Sequence, residues 1–300
     1  MTRGPGLPPK GSVALITPSY AQDFERCRLL CDSIDHFVQP RGQHFILVDN
    51  DDFDQFRVLQ SSSRTVVNER DLLPQWLRDF KPPLGANARK LWVSTKTMPM
   101  RGWHVQQLRR IAIAAHCDAD ALLYCDSDMA FVRPFSLADL WQGGDLRLYR
   151  NPFGVSGELA RPGADHRKWT LQAARLNGLS TPGFPAHDYI NNLVSWRRQH
   201  VLDMCAAIEE RTGKHWVAAI ASSRTFSECQ VYGAYAEGVR SMEGHWAASF
   251  GLCRTYWQGD ALDASALLAF LRDMDEREVA IGVQSFTHTD PNILRNAIGL

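Results

Sequence analysis

The chain has 300 residues, 45% hydrophobic and 22% charged, a composition ordinary for a soluble globular enzyme whose core needs no disulfides. Its 33 Lys and Arg residues balance 33 Asp and Glu residues, which argues against a protein built mainly to coat nucleic acid. The seven cysteines are scattered, with one loose pair at Cys27 and Cys31, so they predict structural thiols in a reducing compartment rather than a zinc ribbon.

The N-terminal residues 1–11 are expected to form a flexible tail. The first ten contain three prolines, two glycines and no apolar run, which predicts neither a signal peptide nor an anchor. Nowhere do about 18 consecutive apolar residues occur, so no membrane-spanning helix is expected. These features predict a cytoplasmic protein and leave peripheral contact with a membrane surface open.

The next segment predicts a strand, a helix and a second strand. Residues 12–17 form a β-branched apolar run that stops at Pro18, which is typical of a buried strand. Phe24–Phe37 has apolar residues at helical spacing, and His44–Val48 is again a short apolar run. This order predicts a parallel sheet covered by helices.

The same patterns predict the remaining elements. Further strands are expected at Ala121–Cys125, Asp145–Tyr149, Ile190–Trp196 and Val279–Phe286. Further helices are expected at Trp103–His116, Ser227–Glu237 and Ser265–Met274. Glycine and proline predict loops at Lys81–Ala88, Gly154–Asp165 and Gly178–His187, the last two mobile. No long linker interrupts the chain, so a single domain is expected over residues 12–300.

Three of the predicted strands are followed by polar clusters. These clusters are Pro18-Ser19-Tyr20, Asp49-Asn50 and Asp126-Ser127-Asp128. Ligands of open parallel sheets bind at the carboxyl ends of the strands. The position of these three polar clusters predicts a nucleotide site at the carboxyl edge of the sheet.

The segment Ala121–Phe135, ALLYCDSDMAFVRPF, contains the residues with the clearest chemistry. It places Asp126 and Asp128 one residue apart between two apolar stretches. Carboxylates in such a setting repel each other and resist burial unless a cation joins them. Mg²⁺ and Mn²⁺ suit oxygen ligands and commonly complete their shells with substrate phosphates. The alternative is a polar turn between two strands, which Asp and Ser also favour.

This segment resembles the Asp-x-Asp signature of nucleotide-sugar glycosyltransferases with the GT-A fold, especially its LYxDxDxxV form. The close similarity covers about 15 residues, and the order of elements extends it over residues 12–135. The resemblance implies that Asp126 and Asp128 bind Mn²⁺ or Mg²⁺ across the donor diphosphate, with Ser127 beside them. The metal would then offset charge on the leaving nucleotide.

The resemblance also assigns residues to donor binding. The loop after the first strand, which would hold the base and ribose, is Thr17, Pro18, Ser19 and Tyr20. Tyr20 is either a stacking partner for the base or a structural aromatic residue.

Two further donor contacts are implied. Asp49 fits an acidic residue near the nucleoside, although a turn residue is an equal alternative. A basic residue on the helix before the metal strand would reach the phosphates. Adjacent helical residues point about 100° apart, so one of Arg109 and Arg110 faces the pocket, and Arg109 is the predicted one.

The resemblance implies a third metal ligand and leaves the catalytic base open. His288, after the last predicted strand, matches a histidine that completes the metal shell and would favour Mn²⁺ over Mg²⁺. Glu228, behind a predicted N-cap at Ser227, matches the base of inverting members, but the helix dipole alone favours an acid there. Asp188, in the sequence His187-Asp188, is the rival, and a retaining enzyme would need neither.

The expected protein is therefore a single α/β domain of GT-A-like fold, with a mostly parallel central sheet and helices on both faces. Residues 12–135 would bind the donor, a nucleotide-diphosphate sugar and specifically a UDP-sugar, and residues 136–300 the acceptor. The acceptor would be a saccharide or glycolipid hydroxyl, and one or two tryptophans are expected beside it. The sequence does not identify the sugar or the stereochemistry.

Three alternatives remain. A haloacid-dehalogenase-type phosphatase also has Asp-x-Asp, but it carries the motif on its first strand and has Thr or Val where this chain has Ala130. A nucleotidyltransferase shares the fold but normally has a Gly-rich, Arg-bearing loop after the first strand. A transferase-like domain that binds nucleotide sugar without turnover is the non-enzyme alternative.

Overall fold

The computed structural model describes residues 11–83, 90–156 and 166–300. The expected tail therefore lies outside the described residues, apart from Gly11. So do residues 84–88 of the first predicted loop and 157–165 of the second. Gly154, the first residue of that second loop, is instead part of a strand.

The described residues form strands of two to six residues. They are β1 (Val13–Pro18), β2 (Val38–Gln39), β3 (His44–Val48), β4 (Arg64–Asn68), β5 (Arg78–Phe80), β6 (Leu91–Val93), β7 (Met100–Arg101), β8 (Ala121–Cys125), β9 (Met129–Phe131), β10 (Phe135–Ser136), β11 (Trp141–Gln142), β12 (Asp145–Tyr149), β13 (Asn151–Val155), β14 (Ala186–Asp188), β15 (Leu193–Arg197), β16 (His245–Ala248), β17 (Cys253–Tyr256) and β18 (Ala280–Val283).

Helices connect and cover these strands. They are α1 (Phe24–Phe37), α2 (Phe53–Phe56), α3 (Glu69–Leu72), α4 (Gly102–Ala112), α5 (His166–Asn177), α6 (Arg198–Thr212), α7 (Trp216–Ile220), α8 (Glu228–Ala234), α9 (Ala264–Arg272) and α10 (Pro291–Ala297). Short 3₁₀ turns cover Ala21–Asp23, Arg57–Leu59, Ile113–His116, Leu137–Leu140 and Ser285–Thr287, and a π-helical turn covers Tyr235–Val239. No helix in the described ranges is long and apolar enough to cross a bilayer.

The central sheet has the strand order β4-β3-β1-β8-β15. The first four strands are parallel, and β15 is antiparallel to β8. Every residue of β1 and β8 is buried, as expected for strands covered on both faces. The predicted mostly parallel sheet is thus confirmed, with one antiparallel strand at its edge.

Helices pack on both faces of this sheet, as predicted. Alternate side chains of a strand point to opposite faces. Ile16 and Leu122 therefore belong to one core with Leu108 of α4. Leu15 and Leu123 belong to another core with α1. Burial of each such aliphatic side chain contributes about 1.5–3 kcal/mol, so these two cores fix the sheet between its helical layers.

A smaller sheet adjoins the central one through the chain that follows β8. Its order is β17-β18-β9, with β18 antiparallel to β9. The register Gly282↔Met129 places the carboxyl end of β18 beside the residues between β8 and β9. The turn after β18 is therefore brought to the Asp-x-Asp segment, although more than 150 residues separate them.

Predicted elements and observed ones agree best where the pattern is continuous. Four of them have the predicted bounds: Phe24–Phe37, His44–Val48, Ala121–Cys125 and Asp145–Tyr149.

Others end early or begin late. The strand predicted from Ile190 begins at Leu193, because Asn191 Oδ1 accepts the amide of Leu193 in a local turn. The predicted helix from Ser227 ends at Ala234 and continues as the π-helical turn. The predicted loop Gly178–His187 includes the start of β14 at Ala186.

Candidate functional site

The carboxyl ends of the parallel strands bring polar residues to one edge of the central sheet. Ser19 follows β1, Asp49 follows β3, Glu69 follows β4 and Asp126 follows β8. β1 pairs with both β3 and β8, so the clusters that follow these three strands lie side by side. The predicted clustering of polar residues at the carboxyl ends of these strands is therefore present, and Ser19, Asp49 and Glu69 are buried there.

Asp126 and Asp128 are held at this edge by their surroundings. Asp128 Oδ2 accepts the amide of Ser285 at 3.2 Å, and its main-chain oxygen accepts the amide of Val283 at 2.9 Å. Burial raises the pKa of Asp126 to about 6, with the charge of Glu228 adding to the shift. Burial and the neighbouring charge of Asp126 raise the pKa of Asp128 to about 7. The two carboxylates are thus an electrostatically strained pair.

A third carboxylate, Asp23, lies beside them. Asp23 Oδ2 accepts a hydrogen bond from Ser127 Oγ at 3.3 Å, and its Oδ1 has no hydrogen bond but lies 3.7 Å from Arg26 Nη1. Burial raises the pKa of Asp23, and its charge in turn raises that of Asp128. Sequence reasoning missed this residue because it precedes α1 and resembles an ordinary helix-capping acid. Its position five residues after β1, at the binding edge, was the available signal.

The two arginines of α4 have different partners. Arg110 Nη1 lies 3.5 Å from Asp126 Oδ1 and 2.9 Å from Glu228 Oε1. Arg109 Nη2 pairs instead with Glu69 Oε2, whose carboxylate also accepts the indole of Trp92 at 3.2 Å. The structure therefore places the predicted Arg109 in a buried ion pair at the end of β4. Its neighbour Arg110 reaches the Asp-x-Asp segment.

Both candidate bases lie around α8. Ser227 is the N-cap, as predicted, because its side chain accepts the amide of Gln230. Glu228 is buried in the ion pair with Arg110, with 6% of its side chain exposed. Asp188 Oδ1 accepts Gln230 Nε2 at 2.9 Å, and its Oδ2 lies 3.2 Å from His166 Nδ1. Neither acid is therefore an isolated carboxylate, and both are tied to neighbours through this helix.

The predicted nucleoside loop divides into buried and exposed parts. Thr17 Oγ1 lies 2.9 Å from His44 Nε2 inside the sheet, and Pro18 ends β1. Ser19 is buried with its hydroxyl unpartnered, whereas Tyr20 is 43% exposed. The loop thus offers one buried hydroxyl and one accessible ring.

Asp49 is held by a cation rather than left free. Both of its carboxylate oxygens accept Lys90 Nζ, at 2.8 and 2.9 Å. Burial opposes the charge of Lys90, but hydrogen bonds to Asp49 and Asp51 keep the pKa of the lysine above its ordinary value. Lys90 thereby stays charged and neutralises part of the charge of Asp49, Asp51 and Asp79 at this edge.

His288 is exposed at the end of the 3₁₀ turn after β18, with the left-handed backbone angle φ +59°. The same turn supplies the Ser285 amide to Asp128. Arg26 fastens it to α1 through the carbonyl of Thr289 at 3.2 Å. The turn is therefore fixed next to Asp128, and His288 lies three residues beyond the contact.

The donor set fits a hard divalent cation that brings other ligands with it. Asp126 and Asp128 supply oxygen atoms, and Asp23 Oδ1, which has no hydrogen bond and faces Arg26 at 3.7 Å, is a further oxygen nearby. Within the described part of the chain, no three His, Cys, Asp or Glu side chains are grouped to hold a metal by themselves. Mg²⁺ and Mn²⁺ commonly accept one or two carboxylates and fill the shell with water and phosphate. The arrangement is compatible with that mode of binding.

One protein family matches the chain. The model described as "Family of unknown function (DUF6492)" matches residues 12–299, which include every residue of the site discussed above. No protein of curated function is detectably similar to the chain. The family description carries no activity, so the function has to be argued from the site itself.

Proposed function

The chain belongs to the DUF6492 family, and we propose that it is a metal-dependent glycosyltransferase that moves a sugar from a nucleotide-diphosphate donor to an acceptor hydroxyl. The observation that carries the proposal is the pair Asp126 and Asp128 at the carboxyl end of β8, with pKa values raised to about 6 and about 7. Two half-buried carboxylates that repel each other gain most from a shared cation. Asp-x-Asp glycosyltransferases use such a pair in this way.

The metal would be held by Asp126 and Asp128, with His288 as the proposed additional ligand. Mn²⁺ is the proposed ion, since an imidazole ligand suits it better than Mg²⁺. When bound, it would supply Lewis-acid stabilisation of the negative charge on the diphosphate. The fold proposed for this arrangement is the GT-A fold, with which the parallel sheet and its binding edge are compatible.

The donor would lie across the ends of β1, β3 and β8. Tyr20 offers an exposed ring for the base, and Asp49 with Lys90 lies beside it. Arg110, held by Glu228, is the cation next to Asp126, so it lies nearer to the proposed diphosphate than Arg109, which pairs with Glu69 away from the Asp-x-Asp segment. A UDP-sugar is the proposed donor. The residues of this chain would thus orient the diphosphate and neutralise part of its charge.

The acceptor would approach from the side of α8 and β14. The loop before β14, within Gly178–His187, is proposed to close over the donor and exclude water. Glu228 is better suited to hold Arg110 in place than to take a proton, because the ion pair already uses its charge. Asp188 remains available for catalysis through its contact with His166.

Calorimetric titration of the protein with UDP and GDP, with and without Mn²⁺, tests the proposal. Binding of UDP is expected to require Mn²⁺ and to weaken at least tenfold in Asp128→Asn. Asp145→Asn, an exposed acid at the start of β12, is the matched control and should bind as the wild type does.

Different results would identify different errors. Nucleotide binding that neither Mn²⁺ nor the Asp128→Asn substitution changes would overturn the proposed role of the metal. No binding of either nucleotide would favour the phosphatase chemistry. Nucleotide binding without release of UDP from any UDP-sugar would favour a domain that binds the donor without turnover.

A further inference from the structure

Three aromatic side chains form a contiguous group outside the residues assigned to the donor. The rings of Trp103 and Trp169 lie 5.7 Å apart, and that of His166 stacks on Trp169 at 4.9 Å with 29° between the planes. Half of Trp103 is exposed. We name Trp103, Trp169 and His166 the aromatic shelf. An exposed indole in such a group offers an apolar face with polar atoms at its rim.

Helix α4 connects the aromatic shelf to the proposed phosphate contact. Trp103, Gln107 and Arg110 are spaced i, i+4 and i+7, so they lie along one face of the helix. Gln107 Oε1 accepts the amide of Glu228 at 3.0 Å, and Arg110 lies between Glu228 and Asp126. Seven residues of helix rise by roughly 10 Å. The shelf is therefore one short helix length from the Asp-x-Asp pair.

His166 and Asp188 form an oriented pair at the edge of this shelf. His166 Nδ1 lies 3.2 Å from Asp188 Oδ2. An ionised carboxylate only accepts hydrogen bonds, so the proton of a neutral imidazole sits on Nδ1 and Nε2 carries a lone pair. The carboxylate is itself fixed by Gln230 Nε2 at 2.9 Å and by the amide of Ile190 at 3.0 Å. This is the arrangement of a base held in one tautomer by a partly buried acid.

Helix α8 places this pair beside the donor site. Gln230, which holds Asp188, is two residues beyond Glu228, which holds Arg110. Burial raises the pKa of the Cys229 thiol, and the charges of Glu228, Asp126 and Asp188 add to that shift, so both aspartates act on this residue of α8. The two acids thus flank the same turn of one short helix.

We propose that His166 is the catalytic base that takes the proton of the acceptor hydroxyl, and that the aromatic shelf binds the apolar face of an acceptor saccharide. Asp188 is a positioning residue that acts through His166. The inference rests on the proposed function and deepens it, since it names the acceptor class and the base. It also gives Asp188 a role different from that of the base itself.

The step balances as a single displacement. The acceptor oxygen forms a bond to the anomeric carbon of the donor sugar as the bond between that carbon and the phosphate oxygen breaks. The acceptor proton passes to Nε2 of His166, and the electron pair of the broken bond leaves with the nucleoside diphosphate. The imidazolium that forms is stabilised by the Asp188 carboxylate, and it returns its proton to water when products leave.

The base is tested with His166→Ala, by the release of UDP from UDP-glucose and UDP-galactose in the presence of a panel of mono- and disaccharides. Turnover is expected to fall at least 100-fold, within the 10²–10⁴-fold range of general base catalysis. Added imidazole is expected to restore part of it. The affinity for UDP and Mn²⁺ should stay within threefold of wild type. Asp188→Asn should lower kcat with little change in KM.

A matched control is His215, which also lies beside a carboxylate and tryptophan rings, 3.9 Å from Glu209 and 5.7 Å from the ring of Trp76. His215→Ala should retain turnover and show no response to imidazole. Retention of more than a tenth of the activity by His166→Ala, or a loss that imidazole leaves unchanged, would overturn the assignment of the base.

The shelf is tested separately with Trp103→Ala and Trp169→Ala. Both are expected to raise the KM for the saccharide at least tenfold and to leave the KM for the UDP-sugar unchanged, and Phe at either position should recover part of the loss. Unchanged saccharide KM values, or no stimulation of the wild type by any saccharide, would overturn the acceptor class. If the wild type shows no Mn²⁺-dependent binding of UDP, the proposed function itself would be overturned.

Discussion

Arg110 Nη1 lies 2.9 Å from Glu228 Oε1, and the same nitrogen is 3.5 Å from Asp126 Oδ1. The guanidinium also lies over the ring of Tyr124, 4.7 Å from its centroid, and its Nε and Nη2 are buried without partners. One cation therefore joins the first acid of the Asp-x-Asp segment to the first turn of α8. Glu228 and the protein interior therefore hold the guanidinium in a fixed position beside Asp126.

Removing one partner of this ion pair should cost more stability than removing both. Glu228→Gln leaves a buried cation near Asp126, and Arg110→Met leaves a buried anion, so each single variant is expected to lose about 3–5 kcal/mol. The double variant should lose less stability than either single variant, and therefore less than their sum, measured by urea unfolding in a double-mutant cycle. Strict additivity would show that the pair does not act as a unit.

Substitution of Arg109 should lower stability alone, whereas substitution of Arg110 should also lower nucleotide affinity. Arg109→Met breaks the pair with Glu69 and is expected to destabilise the fold while changing UDP affinity less than threefold. Arg110→Met should weaken Mn²⁺-dependent UDP binding at least tenfold, since a charge-assisted hydrogen bond contributes about 1.5–3 kcal/mol. Titration calorimetry at equal folded concentrations provides the comparison. A larger affinity loss in Arg109→Met would assign the phosphate contact to Arg109.

Without metal, Asp128 should destabilise the fold. Its pKa is raised to about 7 in the folded protein, above the ordinary aspartate value of about 3.9, so the destabilisation builds as pH rises from about 4 to 7 and is fully present above 7. Asp128→Asn keeps the shape and removes the charge. At pH 8 without metal it should gain about 1 kcal/mol or more, a rise of ~2–4 °C in Tm.

Mn²⁺ should reverse the order of stability, so that the wild type becomes more stable than Asp128→Asn. Saturating Mn²⁺ is expected to raise the Tm of the wild type and leave that of Asp128→Asn unchanged, because only the wild type retains the binding pair. Scanning calorimetry with and without metal measures both effects. A lower Tm of the variant in the absence of metal would show that Asp128 stabilises the fold, contrary to its raised pKa.

The parts of the fold that follow from the sequence are those with one dominant local signal. β1, β3 and β8 are buried on both faces, so their apolar runs are continuous and their bounds are visible. The bounds of the strands also locate their carboxyl ends, so the sequence correctly places the Asp-x-Asp segment at the carboxyl end of β8. α1 was equally clear because its apolar spacing runs through all 14 residues.

The parts that do not follow depend on partners distant in the chain. β4 begins with the charged Arg64, which is buried because Asp35 and the carbonyl of Cys31 accept its guanidinium. No local pattern distinguishes Arg109 from Arg110, since both are buried and only the acids that they contact differ. Arg109 pairs with Glu69 at the start of α3, and Arg110 pairs with Glu228 at the start of α8. Asp23 joins the site only through its contact with Ser127. These contacts are tertiary, so residue spacing does not encode them.

His288 should contribute to metal affinity and not to folding. The side chain is exposed in a turn fixed by Ser285 and Arg26, so His288→Ala should leave the free energy of unfolding within about 0.5 kcal/mol of wild type. Mn²⁺ affinity in the presence of UDP is expected to fall about tenfold, and Mg²⁺ affinity less. His36→Ala, another exposed histidine, is the control. Equal affinities in both variants would remove His288 from the metal shell.

His245 should make the fold sensitive to acid. Its Nε2 lies 2.8 Å from the hydroxyl of Tyr232 and its Nδ1 3.0 Å from the carbonyl of Leu146, inside the protein. Burial, with smaller contributions from His200 and Arg197, lowers the pKa of His245 to about 3. The unfolded chain, with an ordinary histidine pKa of about 6.5, therefore binds a proton that the folded chain does not. Stability is full above that pH and falls as pH drops through it.

The expected loss is about 1.4 kcal/mol per pH unit below the unfolded value, or about 2 kcal/mol at pH 5. His245→Asn removes the titrating group and its packing, so it should be less stable than the wild type at pH 7.5. The difference between the two should then narrow by about 2 kcal/mol at pH 5, because other titrations are common to both proteins and cancel. Urea unfolding at the two pH values measures it. A constant difference would mean that His245 takes up a proton equally readily in the folded and unfolded chains.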